Sequence, residues 1–136
     1  MKKNKRISYM AIAITTNCNC NCFYCKPTGE SILSSVKWTL NFQKLKKIIR
    51  IAYELGINTF RITGGEPTTV GYLPNLIEYV MKLGDNTKIR LNTNGYKLDK
   101  EELLNIIELY KERMDIVISV DSINEYIQGV HYPKYL

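Results

Sequence analysis

The chain has a single histidine, and all four of its cysteines lie in one short segment between Cys18 and Cys25. Such close spacing excludes a disulfide framework that ties distant parts of a fold together, and it favours metal or redox chemistry in a reducing compartment. A structural zinc site needs four ligands, and neither a second cysteine pair nor a nearby histidine is present, because His131 lies far along the chain. Metal binding by the cysteine segment is the leading hypothesis, and zinc is the competing interpretation.

Long hydrophobic runs are also missing, because no stretch approaches the roughly 20 apolar residues that span a bilayer. The basic N-terminal run leads into a strand-like segment that has no cleavage pattern for secretion. The sequence therefore predicts a cytoplasmic protein that does not bind membranes.

Basic residues are in modest excess, with 19 lysines and arginines against 13 acidic residues and a net charge of +6. Part of the excess lies in residues 1–7, which we interpret as a flexible basic leader. Most other lysines fall on the polar faces of predicted helices rather than in one patch, so nucleic-acid binding is not favoured. The length of 136 residues and the hydrophobic share of 45% predict one globular domain.

Strand-like segments recur along the chain at regular intervals. Short apolar runs at residues 8–15, 57–63, 87–93 and 115–120 predict four strands, of which the first is nearly free of charge. Each of the first three is followed by a segment with helical periodicity. Consecutive strand–helix units imply parallel pairing through right-handed crossovers.

Three amphipathic segments predict the helices between these strands. Thr39 or Asn41 caps the first helix, and Gly56 ends it. A capping box formed by Asp99 and Glu102 begins the third. The apolar positions at helical spacing are Leu45, Ile48, Ile49, Ala52 and Leu55 in the first helix, Leu73, Leu76, Ile77, Val80 and Met81 in the second, and Leu103, Ile106, Ile107 and Tyr110 in the third.

The unusual segments of the chain all follow predicted strands. They are the cysteine segment, GGEPT after the second strand, NTNG after the third and SVDS at the end of the fourth. An open doubly wound sheet and part of a barrel both fit the alternation. Both architectures bind ligands at the carboxyl ends of the strands, so these segments predict a common site there.

The cysteine segment has the spacing C-x3-C-x2-C, formed by Cys18, Cys22 and Cys25, with Cys20 as an additional thiol. Three thiolates on one loop bind three irons of a cubane and leave the fourth iron open for another ligand. The spacing, with an aromatic residue just before the last cysteine, resembles the signature of the radical S-adenosylmethionine (radical SAM) superfamily. Cys20 lies outside that spacing, and we leave it out of the cluster.

The resemblance covers the chain from about Tyr9 to Ser122 and implies the first two-thirds of a partial (β/α)6 barrel, with about four βα units. Residues 1–136 then form a single, incomplete radical SAM core domain. Its implied cofactors are a [4Fe–4S] cluster and S-adenosylmethionine, which is cleaved reductively to a 5′-deoxyadenosyl radical. The implied partners are a small-molecule or peptide substrate and an electron donor such as flavodoxin or ferredoxin.

The family motifs also imply residues that bind S-adenosylmethionine. Glycine lets main chain approach a ligand closely and an acidic residue suits a cation, although GGEPT also fits an ordinary tight turn. Polar residues at strand ends equally fit caps and Asx turns. The implied contacts are Gly64, Gly65, Glu66 and Pro67 for the methionine ammonium, Tyr24 for the adenine, and Thr93, Asn94, Ser119 and Asp121 for the ribose and the methionyl carboxylate.

Within the superfamily, the segments RITGGEPT, NTNG and SVDS resemble the molybdenum-cofactor cyclase branch that acts on GTP, where an arginine matching Arg61 contacts substrate. That branch has a further arginine where this chain has Ala11, and peptide-modifying members share the same segments, so the substrate is open. The alternative function is a truncated, non-catalytic metal-binding or interaction module. The exposed edge of the fourth strand favours homo-oligomers.

Overall fold

Four parallel strands form the centre of the structure, a computed structural model that describes residues 7–20, 22 and 37–120. They pair in chain order, so that β1 lies beside β2, β2 beside β3, and β3 beside β4. The predicted α/β architecture and the four predicted strands are confirmed. The strands are β1 (Tyr9–Ala13), β2 (Thr59–Thr63), β3 (Lys88–Thr93) and β4 (Met114–Ile118).

Three helices connect these strands: α1 (Phe42–Glu54), α2 (Leu73–Met81) and α3 (Glu101–Leu109). Asn41 caps α1, because its side-chain oxygen accepts a hydrogen bond from the backbone N–H of Lys44 at 3.1 Å. Thr39, the other predicted cap, instead forms an antiparallel bridge with Thr15. None of the helices in the described part of the chain is long and apolar enough to cross a membrane.

The hydrophobic core lies between the helices and one face of the sheet. Phe60 and Ile62 of β2 are fully buried in this core, together with Leu91 of β3 and with Leu45 and the other inward residues of the helices. Burial of large aliphatic and aromatic side chains is the main favourable term in folding. Residues that alternate with the core positions, such as the partly exposed Arg61 on β2, lie on the opposite face of the sheet.

One predicted detail is wrong. The capping box of Asp99 and Glu102 does not form, because α3 begins one residue later, with Lys100 at the cap position and no side-chain cap hydrogen bond. The Lys100 ammonium donates to the carbonyl oxygen of Thr68 at 3.2 Å, in the turn that follows β2. Ile48 of α1 is 44% exposed although it recurs at helical spacing with Leu45, and Leu55, the cap residue after α1, is 77% exposed. The buried residues of α1 are Leu45, Ile49 and Ala52.

Arg113, just before β4, closes the carboxyl end of α2. Its guanidinium donates to the carbonyl oxygens of Met81 at 3.3 Å and Gly84 at 2.9 Å, and it lies over the Tyr110 ring with its carbon 5.4 Å from the ring centre. Met81 is the last residue of α2, so its carbonyl has no partner within the helix, and the Arg113 cation satisfies it and complements the helix dipole. The Gly84 carbonyl, beyond the helix, also accepts from the backbone N–H of Thr87 at 3.1 Å and from the Thr87 hydroxyl at 2.8 Å.

We expect Arg113→Met to lower the free energy of unfolding by about 1–3 kcal/mol, because hydrogen bonds from a charged donor to the carbonyls of Met81 and Gly84 are lost. Arg50→Met is the matched control, since Arg50 makes only an exposed ion pair with Glu54 at 3.8 Å. Arg50→Met should lower the free energy of unfolding by no more than about 0.5 kcal/mol. Urea unfolding of both variants in the same metal-loading state measures the difference, and equal costs would contradict the capping role.

Candidate functional site

The segments that follow the four strands lie along one edge of the sheet. Parallel strands have their carboxyl ends on the same side, so the residues after β1, β2, β3 and β4 meet there. Backbone pairing continues past the strands, because Ile14 donates to the carbonyl of Thr63 and Ser119 donates to that of Thr93, both at 2.9 Å. The common edge predicted from the sequence is therefore present.

The cysteine loop leaves the sheet after β1, and its two ends are held together. The backbone N–H of Thr16 donates to the Trp38 carbonyl, and the Trp38 N–H donates to the Thr16 hydroxyl oxygen, both at 2.9 Å. Leu40 donates from its backbone to the carbonyl of Ile14 at 2.8 Å. The loop that carries the cysteines thus starts and returns at the same point of the edge.

Three cysteines of this loop lie in the described part of the chain. Cys22 is buried, Cys18 and Cys20 are partly exposed, and the Cys18 sulfur accepts a hydrogen bond from the Cys20 backbone N–H at 3.4 Å. Burial raises the pKa of the Cys18 thiol. Burial also raises the pKa of Cys20 to about 12, and the negative charges of Cys18 and Cys22 add to this effect. The thiols are therefore near enough to repel one another as thiolates.

A positively charged metal centre would relieve this repulsion, because thiolate ligands are stabilised by the metal they bind. Cys18 and Cys22 have the sulfur donors that iron–sulfur clusters use. Among the residues that the structure describes, no three His, Cys, Asp or Glu side chains form a metal-binding group. The third predicted ligand, Cys25, lies outside the described residues, as do Tyr24 and Asp121.

Gly64 and Gly65, after β2, pack against the main chain ahead of the first cysteine. A Cβ atom on Gly64 would lie 2.4 Å from the Thr15 carbonyl oxygen, and one on Gly65 would lie 2.3 Å from that of Asn17. Gly64 also has a φ of +142°, which L side chains rarely adopt. The two segments are joined by hydrogen bonds of 2.7 Å from Gly65 to Thr15 and from Glu66 to Asn17.

This packing shows a structural role of Gly64 and Gly65 that the sequence did not indicate, which is close contact with the main chain ahead of Cys18. The close approach expected for GGEPT is present, but its partner among the described residues is the base of the cysteine loop. Whether Gly64, Gly65 and Pro67 also contact S-adenosylmethionine stays a prediction.

Glu66 is only 1% exposed, and four donors surround its carboxylate. Oε1 accepts from the backbone N–H of Thr68 at 3.0 Å, from the Thr68 hydroxyl at 2.7 Å and from the Thr93 hydroxyl at 2.7 Å. Oε2 accepts from the backbone N–H of Asn94 at 2.7 Å. A buried carboxylate is tolerated when it is hydrogen-bonded in this way. The carboxylate therefore ties the end of β2 to the end of β3, and its predicted contact with an ammonium group stays a prediction.

Asn94 follows β3 and reaches the cysteine loop with its side chain. Its Nδ2 donates to the Asn19 side-chain oxygen at 2.8 Å and to the Cys20 sulfur at 3.1 Å. Its Oδ1 accepts from the backbone N–H of Tyr96 at 3.2 Å. Sequence reasoning included Asn94 among the candidate cofactor contacts but missed Asn19, because nothing in the local sequence links positions so far apart.

Arg61 lies away from this edge, on the face of the sheet opposite the core. Its Nε donates to the side-chain oxygen of Asn92 on β3 at 3.0 Å. The neighbouring Arg90 instead pairs with Asp115 of β4, with 3.2 Å between nitrogen and oxygen. The predicted substrate residue and the predicted cofactor residues thus occupy two adjoining parts of the structure.

Comparison with known proteins extends these observations. The family description "Radical SAM superfamily" matches residues 12–135. GTP 3',8-cyclase of Syntrophomonas wolfei is 40% identical over 95 residues, which are 69% of this chain and 29% of that enzyme. GTP 3',8-cyclase of Haemophilus ducreyi is 34% identical over 122 residues, which are 88% of this chain and 34% of that enzyme. The chain thus spans about a third of the length of the curated relatives it matches.

Solved structures share the fold. SuiB of Streptococcus suis has a TM-score of 0.73 at 22% identity over 90% of this chain and 26% of that protein, and a SuiB structure bound to S-adenosylmethionine has a TM-score of 0.71. BtrN in an open conformation has a TM-score of 0.60 at 20% identity, covering 85% of this chain and 58% of that protein. The cysteine spacing, the four parallel strands and the family match agree, and the chain belongs to the radical SAM superfamily.

Proposed function

We propose that this chain is the cofactor-binding portion of a radical SAM enzyme, in which Cys18, Cys22 and Cys25 hold a [4Fe–4S] cluster. The bound cluster would supply the electron that cleaves S-adenosylmethionine to a 5′-deoxyadenosyl radical. The observation that carries this proposal is the packing of the cysteine loop against the GGEP segment. Hydrogen bonds from Gly65 and Glu66 to the chain just ahead of Cys18 bring the ligand loop and the proposed cofactor segment to one edge.

The proposed cofactor contacts lie around this edge. Thr93 and Asn94 are both bonded to the Glu66 carboxylate, so the ends of β2 and β3 form one rigid group. Ser119 follows β4 beside them. Backbone carbonyls of the GGEP segment and these polar groups suit the ammonium, the carboxylate and the ribose of S-adenosylmethionine.

We further propose that substrate binds on the face of the sheet opposite the helices, with Arg61 as a contact. Toward the residues that the structure describes, the guanidinium bonds through Nε to Asn92, and its two terminal nitrogens are the donors that we propose for a carboxylate or phosphate group. Small-molecule and peptide substrates both contain such groups. The GTP 3',8-cyclase relatives favour a nucleotide, whereas one structural neighbour, SuiB, was solved bound to the precursor peptide SuiA. An external electron donor such as flavodoxin or ferredoxin completes the proposal.

Anaerobic reconstitution tests the cluster and its open iron together. Iron and sulfide analysis should give about four of each per chain, as a cubane requires. Electron paramagnetic resonance spectra of the reduced protein should change when S-adenosylmethionine is added. Stoichiometric zinc in place of iron, or spectra that do not change when S-adenosylmethionine is added, would contradict the proposal.

We expect Cys18→Ala and Cys22→Ala, like Cys25→Ala, each to lose the oxygen-sensitive cluster almost completely, because one iron then lacks its protein ligand. Cys20→Ala is the matched control and should retain the iron content, since its sulfur is hydrogen-bonded to Asn94. The measurement is the iron-to-protein ratio after anaerobic reconstitution. If the Cys20 variant loses iron as completely as the others, the ligand assignment is wrong.

Gly65→Ala should disturb both the cluster and S-adenosylmethionine binding, because the added Cβ overlaps the carbonyl of Asn17, next to Cys18. Overpacking of this kind costs about 1–3 kcal/mol. Gly71→Ala is the matched control, since a Cβ there meets nothing within 4 Å, and it should stabilise the chain by about 0.4–1 kcal/mol. Iron content and anaerobic titration with S-adenosylmethionine measure the two effects. Iron content and S-adenosylmethionine affinity equal to those of the parent protein in Gly65→Ala would indicate that GGEPT is an ordinary turn.

A further inference from the structure

We propose that Asn94 is a positioning residue that holds the cysteine loop against the end of β3, and that Cys20 anchors the loop there instead of ligating metal. The cluster-binding proposal leaves Cys20 without a role, although it lies midway between two proposed ligands. The Asn94 side chain provides that role through two contacts, at 2.8 Å to the Asn19 oxygen and at 3.1 Å to the Cys20 sulfur.

Asn94 is itself held firmly enough to act as an anchor. Its backbone N–H is bonded to the buried Glu66 carboxylate, and its Oδ1 accepts from the backbone of Tyr96. The second contact fixes the side-chain amide, because an oxygen that accepts from the N–H two residues ahead forms an Asx turn. The side-chain amide is then held with its Nδ2 facing Asn19 and Cys20 of the loop.

The loop needs such an anchor because its described clamp lies only at its base, where Thr16 pairs with Trp38. The anchored residues, Asn19 and Cys20, lie between the proposed ligands Cys18 and Cys22. Holding the middle of this segment orders both thiols before iron binds, which reduces the conformational entropy lost on binding. The same contact occupies the Cys20 sulfur on the β3 side of the loop.

Hydrogen exchange in the metal-free chain tests the anchor directly. We expect Asn94→Ala to raise amide exchange about three- to tenfold in the peptide spanning residues 15–22, with little change in β2 and β3. Cys20→Ala should give a smaller rise, and Cys20→Ser should stay near the parent protein because its hydroxyl still accepts. Asn75→Ala, at an exposed position of α2, is the control and should change nothing in this peptide.

The outcomes separate positioning from general stabilisation. Unchanged exchange in residues 15–22 of the Asn94 variant would overturn the proposal. Equal increases throughout β2 and β3 would also overturn it, because Asn94 would then only stabilise the fold. This measurement needs no cluster, so the exchange data test the Asn94 anchor by themselves. Failure to bind iron would count against the proposed function and would not affect the test of the anchor.

A second measurement uses the reconstituted protein. We expect Asn94→Ala to release iron to a chelator about three- to tenfold faster than the parent, because its loop opens more often. Cys20→Ser should bind the same amount of iron and release it at the parent rate. A loss of iron content in Cys20→Ser would show that this sulfur is a ligand, and release from Asn94→Ala at the parent rate would remove the positioning role.

Discussion

The buried carboxylate of Glu66 is the interaction on which the rest of the site depends. Removing a carboxylate from water is costly unless hydrogen bonds replace the lost hydration, and Thr68, Thr93 and Asn94 supply those bonds. Because the donors come from the segments after β2 and β3, these two segments cannot move independently. The backbone N–H of Glu66 also bonds to Asn17, so the same residue fixes the start of the cysteine loop.

Much of the fold could be predicted because parallel strands are buried on the core side and are short and apolar. The predicted strand at residues 57–63 contains β2, where Phe60 and Ile62 are fully buried. Apolar residues at helical spacing indicate where a helix lies but not how wide its buried stripe is, because Ile48 recurs with Leu45 and is 44% exposed. The capping box does not form, because Lys100 holds the cap position of α3 and Asp99 lies one residue ahead of it.

The location of the candidate site could be predicted from the sequence, but the contacts within it could not. Parallel topology alone brings Cys18, Gly65 and Asn94 to one edge, so their grouping follows from strand order. Their partners do not follow, because the bond from Asn94 to Asn19 joins residues 75 positions apart. The glycines show the same limit. Their residue type indicated a close approach, but only the packing identified Thr15 and Asn17 as the chain approached.

Charged residues on the face of the sheet opposite the helices bear on the proposed substrate site. Arg61 and Arg90 are register neighbours on β2 and β3, and like charges side by side on a sheet are destabilising unless they are compensated. Asp115 pairs with Arg90, whereas Arg61 bonds through Nε to the neutral Asn92. An anionic group is the ligand that balances such an arginine. Arg61 precedes Gly64 by three residues, about 10 Å along an extended strand. If the proposed function holds, a substrate whose anionic end binds Arg61 extends along this face to reach the edge where the cluster is proposed to bind.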